Sequence, residues 1–322
     1  MDIQDVLPRD AIPGIDDPAF DTSYFGDPDD EVIVVEADPP RAYPVRVLSY
    51  HEIVNDVLEA TERSDNDERP VAVTWCPICA SAVVYERTVD GQTLTFGTSG
   101  KLADDALVMY DRETESEWKQ PLGRAISGPL DGRELSVVPS SILSWAQFRT
   151  AYPDGVVLQP VHGGPDDARG NSPREAYDMT PYDRYDADPE FGLRAMRGVG
   201  PQRTWDRTDI DAKTTVIGVV HEDDAVAYPV PQIRAAEGVI TDTVGGLEIV
   251  VVASSDTAMH AFENPGYEFE LRDGTLYGDG VTWDLPTGQS NDGRHLDRVP
   301  SRRLYAFAWQ DDHGADSFYG LN

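Results

Sequence analysis

Three things are scarce in this chain. Only two cysteines occur among its 322 residues, so no disulfide framework can staple it, and no all-cysteine metal site of four ligands can form within one chain. Long apolar runs are missing: nothing approaches the roughly 18 consecutive apolar residues of a membrane-spanning helix, so no membrane partner is expected. Positive charge is rare, with 26 Lys+Arg against 59 Asp+Glu and a net charge of −33. Without a basic stripe to neutralise phosphates, nucleic acid is not an expected partner either. The opening Met1-Asp2-Ile3-Gln4-Asp5 has neither the basic nor the apolar region of a signal peptide, so the expected location is the cytoplasm. There, two cysteines are expected to be thiols or ligands rather than a disulfide.

What the chain does have is acid mixed evenly with apolar and aromatic residues. Six Trp, 14 Tyr and nine Phe set it apart from a disordered acidic tail. A globular domain so charged repels itself in dilute salt, whereas at molar salt the Debye length falls to about 3 Å and the repulsion is screened. The composition points to the salt-rich cytoplasm of a halophilic archaeon.

Along the chain, residues 1–30 are rich in Asp and Pro and read as an extended arm. Val32-Ile33-Val34-Val35 is of strand type, and Ser49 to Ala60 has helical spacing through Ile53, Val54, Val57 and Leu58. Thr61 to Pro70 reads as a charged loop, and Val71 to Trp75 as a strand by β-branched content. Ala82–Tyr85 and Thr93–Phe96 flank Asp90-Gly91, a hairpin signal. Leu107–Tyr110 is another strand, and Ser141 to Arg149 reads as one short helix. Residues 160–213 lack a sustained period and read as an irregular connector packed through Tyr177, Tyr182 and Tyr185.

Self-similarity organises the rest. Val32-Ile33 leading to Ala42-Tyr43-Pro44-Val45 recurs as Val216-Ile217 leading to Ala227-Tyr228-Pro229-Val230. Trp118-x-x-Pro121-x-Gly123 recurs as Trp283-x-x-Pro286-x-Gly288. Gly132-Arg133-x-Leu135-x-x-Val138-Pro139-Ser140 recurs as Gly293-Arg294-x-Leu296-x-x-Val299-Pro300-Ser301. The separations are 185, 165 and 161 residues, so the first copy carries about 24 extra, mostly between Val45 and Trp118. Elements kept in both copies read as scaffold, since Pro fixes φ and Gly permits positive φ. Elements found in one copy are the better candidates for function.

Arg41-Ala42-Tyr43-Pro44, His51-Glu52-Ile53-Val54-Asn55-Asp56, Thr74-Trp75-Cys76-Pro77-Ile78-Cys79 and Met109-Tyr110-Asp111-Arg112-Glu113-Thr114 together resemble the DUF3179 family, a domain of unknown function common in haloarchaea and found in other bacteria. The resemblance covers roughly residues 30–160, with a degenerate continuation at 216–320. It implies a shared fold and carries no established activity.

Cys76, Cys79 and His51 are the first copy's own chemistry. Aligning Val73-Thr74-Trp75 with Val250-Val251-Val252 sets Tyr85 against Phe262, Ala253 and Asp256 against the cysteines, and Ala236 or Glu237 against His51. Several readings stand. A thioredoxin-like dithiol wants a helix after the second cysteine, but Ala82–Tyr85 reads as a strand. Zn held by Cys76, Cys79 and His51 would leave an open position, with Glu52 as base; the order echoes the zinc deaminases without matching either of their motifs. Cu(I) would suit Cys76, Cys79, His51 and Met109. A single thiol activated by His51 could act as nucleophile. Against all of these, free cysteine packs readily as a small buried hydrophobe. Asn55, Asp56, Arg112 and Trp118 are candidate supporting residues. Gly97-Thr98-Ser99-Gly100-Lys101 lacks phosphate-loop spacing, although its backbone N–H groups could meet a small ligand.

The expected fold is mainly β (a β-rich α+β chain), built as two homologous barrel- or sandwich-like lobes from a tandem duplication. The arm is 1–30, the first lobe with the site 31–159, the connector 160–213, and the degenerate second lobe 214–322. Two function classes follow: a module that binds a small ligand or metal near Cys76, Cys79 and His51, and a thiol- or metal-dependent enzyme using the same residues. No acid–base pair, triad or cofactor fingerprint stands out, which favours the binding module. Structural cysteines with an interaction role are the third reading.

Overall fold

The computed structural model describes residues 1–59, 68–161, 172–178, 182–255 and 257–321. The chain is mainly β, with short helices between strands. At its centre the strand Glu68–Cys76 lies antiparallel between Ile53–Glu59 and Ser81–Glu86. Side chains of a strand alternate between faces. Ala72 and Cys76 therefore enter one apolar core with Val83 and Tyr85, while Val71, Val73 and Trp75 enter another with Val54 and Val84. A strand with a core on each face needs apolar residues at consecutive positions, and the run Val71-Ala72-Val73 supplies them.

These three strands belong to a seven-stranded sheet that crosses the molecule. It continues through Ser301–Tyr305, Thr215–His221 and Asp224–Pro229, joined where Arg303 pairs with Ala82; the short strand Val137–Val138 pairs with Ser81–Glu86 beside it. A five-stranded sheet holds Ser141–Ser144, Glu31–Val35, Arg41–Pro44, Val156–Leu158 and Phe20–Asp21, and another holds Ile3–Asp5, Phe96–Ala103, Ala106–Asp111, Glu117–Lys119 and Arg124–Ser127. The described sheets are open, which corrects the expectation of barrels. Ser301–Tyr305 hydrogen-bonds across to a strand of the first half, so the ladder that could have closed one half is spent joining the two.

Pairings recur along the chain. Val32 faces Pro44 and Ile33 faces Tyr43; Val216 faces Pro229 and Ile217 faces Tyr228. The two tyrosine hydroxyls donate to Asp56 (2.5 Å) and Asp242 (2.8 Å). Trp118 lies opposite Met109, and Trp283 opposite Leu276. Gly123 and Gly288 donate their N–H groups to the carbonyls of Lys119 (2.9 Å) and Asp284 (2.8 Å), and each accepts from a leucine, Leu135 or Leu296. Both glycines have positive φ, 68° and 67°, which is the reason for glycine there. Tyr85 pairs with Ala72 and Phe262 with Val250, so Ala72 rather than Val73 is level with Val250, and Cys76 is level with Ser254. Asp256 lies outside the described residues.

Local structure departs from the sequence reading in several places. The segment Ser49–Ala60 is not one helix: a helix spans Val45–His51 and a strand spans Ile53–Glu59. Pro44, in extended conformation, precedes the helix, and Glu52 at φ 58° ends it, after which Ile53 and Val54 take the extended state that β-branched side chains favour. Ser141–Arg149 likewise splits into the strand Ser141–Ser144 and the helix Trp145–Ala151, because Ser144 and Gln147 form a reciprocal capping box at the boundary. The strand Glu68–Cys76 reaches back over the end of the expected charged loop, whose residues 60–67 lie outside the described ones. At the hairpin, Asp90 and Gly91 both take positive φ between Thr88–Val89 and Gln92–Thr93, as a two-residue turn of this kind requires.

The first thirty residues run along the body, pairing Ile3–Asp5 with Phe96–Ala103 and Phe20–Asp21 with Val156–Leu158. The described part of the connector carries three short helices, Pro173–Tyr177, Asp183–Ala187 and Gly192–Arg197. Tyr177, Tyr182 and Tyr185 are buried.

Candidate functional site

Cys76 ends its strand, and Pro77 to Ala80 turn the chain into Ser81–Glu86. Proline stops the strand at Pro77, and Ala80 takes φ 47° to close the corner. Both thiols are buried and free. The Cys76 sulfur accepts the Leu107 N–H at 3.4 Å. Carbonyls of the corner are held from elsewhere: Tyr185 donates its hydroxyl to Ile78 O at 2.6 Å, and Tyr305 N–H donates to Cys79 O at 2.8 Å. The corner is thus sealed by a connector tyrosine on one side and a second-half strand on the other.

The two thiols are electrostatically unequal. Burial pushes the Cys76 thiol up, but hydrogen bonds from the Cys79 thiol and from the backbone N–H groups of Cys79, Leu107 and Ile78 more than offset it and leave it below the usual thiol range. Burial holds Cys79 well above that range, with its hydrogen bond to Cys76 and the Cys76 charge acting the same way. Cys76 is therefore the more acidic thiol of the pair, and the Cys79 thiol also lies 4.0 Å from Cys76 O.

Glu52 is the acid beside them. Its backbone carbonyl accepts the Trp75 N–H at 2.8 Å. Its side chain is 7% exposed and makes no hydrogen bond or ion pair among the described residues. Burial, then the Cys76 charge, pushes its carboxyl up to about 8, with Arg197 opposing. Glu52 lines a small cleft of about 50 Å³ that opens to solvent. Ile78, Leu107, Leu193 and Met196 give the cleft apolar walls, and Tyr182, Lys101 and Arg197 add polar groups. The N-terminal arm closes one side through Val6, Leu7 and Ile12. Val6 and Leu7 donate their N–H groups to Gly100 O, both at 2.9 Å. Gly100 is required there, since its φ is 78° and a Cβ would stand 2.1 Å from Leu7 O.

Of the residues singled out in the sequence, Cys76, Cys79, Met109 and Trp118 share one core. Met109 is fully buried and paired to Thr98 and Trp118. Trp118 donates its indole N–H to Asp111 at 2.9 Å. The His51 imidazole is held elsewhere: Nδ1 lies 2.8 Å from Pro13 O and Nε2 lies 2.9 Å from the Tyr177 hydroxyl. Asp56 is bound by Arg41 and Tyr43. Asn55 bridges Asp16 and the backbone of Phe96, and Arg112 pairs with Asp16. Among the described residues, no group of three or more His, Cys, Asp or Glu stands close enough to hold a metal ion.

The residues not foreseen are Arg197, Tyr182, Ile78 and Leu107. Arg197 and Tyr182 come from the connector, which carried no pattern beyond its tyrosines. Ile78 could have been suspected from its place between the two cysteines.

Fold and site together define a mainly β protein with a buried dithiol corner beneath an acid-lined cleft. The chain belongs to the DUF3179 family, described as a protein of unknown function, whose profile matches residues 9–316. That match takes in the arm, connector and second half, well beyond the 30–160 core of the resemblance. No curated protein and no solved structure matches it. None of the described helices is long and apolar enough to cross a membrane.

Proposed function

We propose that this protein binds a small ligand in the cleft over Glu52, with the Cys76–Cys79 corner as the layer beneath it. One observation carries the reading: Glu52, a residue only 7% exposed, lines the cleft and has no hydrogen-bond or ion-pair partner among the described residues, so a ligand there can supply one. A fragment screen by ligand-observed NMR in high salt tests this. Fragments that bind the native chain and lose binding in Met196→Trp, which fills the half-buried mouth, are the expected result. A screen whose hits all ignore that substitution overturns it.

A second reading, thiol-dependent chemistry at the same corner, draws on the depressed Cys76 thiol. It expects iodoacetamide to label Cys76 ahead of Cys79, and equal labelling would count against it.

The two halves are, on this proposal, copies of one ancestral lobe. Support comes from the matching registers at Tyr43 and Tyr228, the matching tryptophan positions, and the paired glycine turns. The charge of −33 fits a salt-rich cytoplasm; the unfolding midpoint should then rise as KCl approaches molar concentration.

A further inference from the structure

The groups around the cleft select among ligands, provided that the cleft is a ligand site as proposed above. Its walls are apolar, so the body of the ligand is apolar. Two cations line it, and they are not equivalent. Lys101 is spent on Glu117 at 2.7 Å. Arg197 is exposed at the mouth and makes no hydrogen bond or ion pair among the described residues. We infer that the cleft takes a small organic monocarboxylate, its apolar body against Ile78, Leu107, Leu193 and Met196 and its carboxylate at the Arg197 guanidinium.

The charge balance of the cleft supports a single negative group. A guanidinium offers a carboxylate two parallel N–H donors. Glu52, held protonated at neutral pH by its surroundings, can donate its O–H to a ligand oxygen and so gain the partner it lacks. A phosphate ester or dicarboxylate would bring a second negative charge with only Arg197 free to meet it, since Lys101 is spent on Glu117. An amine would meet Arg197 with like charge. Distant acidic residues repel an anion little in concentrated salt.

Calorimetric titration of the full chain in molar KCl at pH 7 tests this with hexanoate and benzoate against hexanamide and benzamide, which match them in shape. The carboxylates should bind at least about tenfold more tightly than the amides, and Arg197→Gln should erase the difference while amide affinity stays. Arg197 is exposed, so the variant is expected to fold; circular dichroism checks it. Raising the pH through about 8 should weaken carboxylate binding as Glu52 ionises, and Glu52→Gln should remove that dependence. The groups facing Glu52 are Cys76, Arg197, Lys101 and Tyr182. Cys76 has its own titration, and Cys76→Ser separates it from that of Glu52. Equal affinity for acid and amide, lost in Met196→Trp, overturns the carboxylate inference and leaves a ligand site. If none of the four probes binds, the carboxylate inference falls; if the fragment screen also finds nothing sensitive to Met196→Trp, the ligand site falls with it.

Discussion

Two corners of this molecule occupy the same place in their ladders and have opposite fates. After the strand Glu68–Cys76, the turn holding Pro77, Ile78, Cys79 and Ala80 is buried throughout, under Tyr185 and beside the cleft. After the strand Leu247–Ala253, Ser254 and Thr257 are exposed, and Ser254 N–H bonds only locally, to Ala258 O at 3.0 Å. The acids at the preceding helix ends differ in the same way: Glu52 and Glu237 both take φ 58°, yet Glu52 is buried over the thiols and Glu237 is exposed. On the proposed equivalence of the halves, one backbone plan serves two ends. What covers the corner, rather than the corner itself, buries the first and leaves the second a surface turn.

The largest effects should come where the halves agree. Trp118 and Trp283 are both buried, with indole N–H groups bonded to Asp111 and to Gly278 O. Truncating either to alanine should cost about 3–5 kcal/mol in denaturant unfolding. A cost confined to one half would break the proposed equivalence.

Next comes Glu52. Its folded-state pKa lies above the ordinary value, at about 8, so the folded chain holds this proton more tightly than the unfolded one. The associated stability is greatest at low pH and is lost as pH rises from about 4.5 to about 8. Glu52→Gln should escape that loss and by pH 9 gain on the order of 4–5 kcal/mol on the native chain relative to pH 4. Equilibrium unfolding across the range measures it, and parallel pH profiles for the two proteins would sink the assignment.

A smaller change is expected within the thiol pair. Cys79→Ala removes the donor to Cys76, so the Cys76 thiolate absorbance should appear at higher pH, for about 1–2 kcal/mol of lost packing. An unmoved absorbance midpoint would show that the two sulfurs are independent. Least of all, Ser254→Ala and Glu237→Gln, at exposed positions, should each shift stability by less than about 0.5 kcal/mol; a larger cost would mean that the second corner is covered after all.

Much of the local order was legible. Val71 to Trp75 reads as a strand because β-branched residues favour extended backbone, and Asp90-Gly91 reads as a hairpin because the turn needs positive φ twice. The recurring Tyr-Pro and Trp-x-x-Pro-x-Gly units were visible because Pro, Gly and large aromatics have few substitutes in a fixed chain path. The helix boundary at His51 was missed because Ile53, Val54, Val57 and Leu58 fit helical spacing and strand content equally well. The positive φ at Glu52 that separates helix from strand leaves no mark in the residue types.

The sequence by itself determined the strand-rich character, the acidic surface, the recurrence, and the presence of two thiols in the first half alone. Each of these depends on residue type and near neighbours. Only the tertiary structure decided that Glu52 is electrostatically coupled to the Cys76 sulfur, that the His51 ring meets Pro13 O and the Tyr177 hydroxyl, and that Arg197 lines the same cleft. Adjacent side chains at the end of a helix diverge when the backbone turns through positive φ, as it does at Glu52. Residues from opposite ends of a long connector meet only once the sheets they pack on have formed, so no local pattern could announce them.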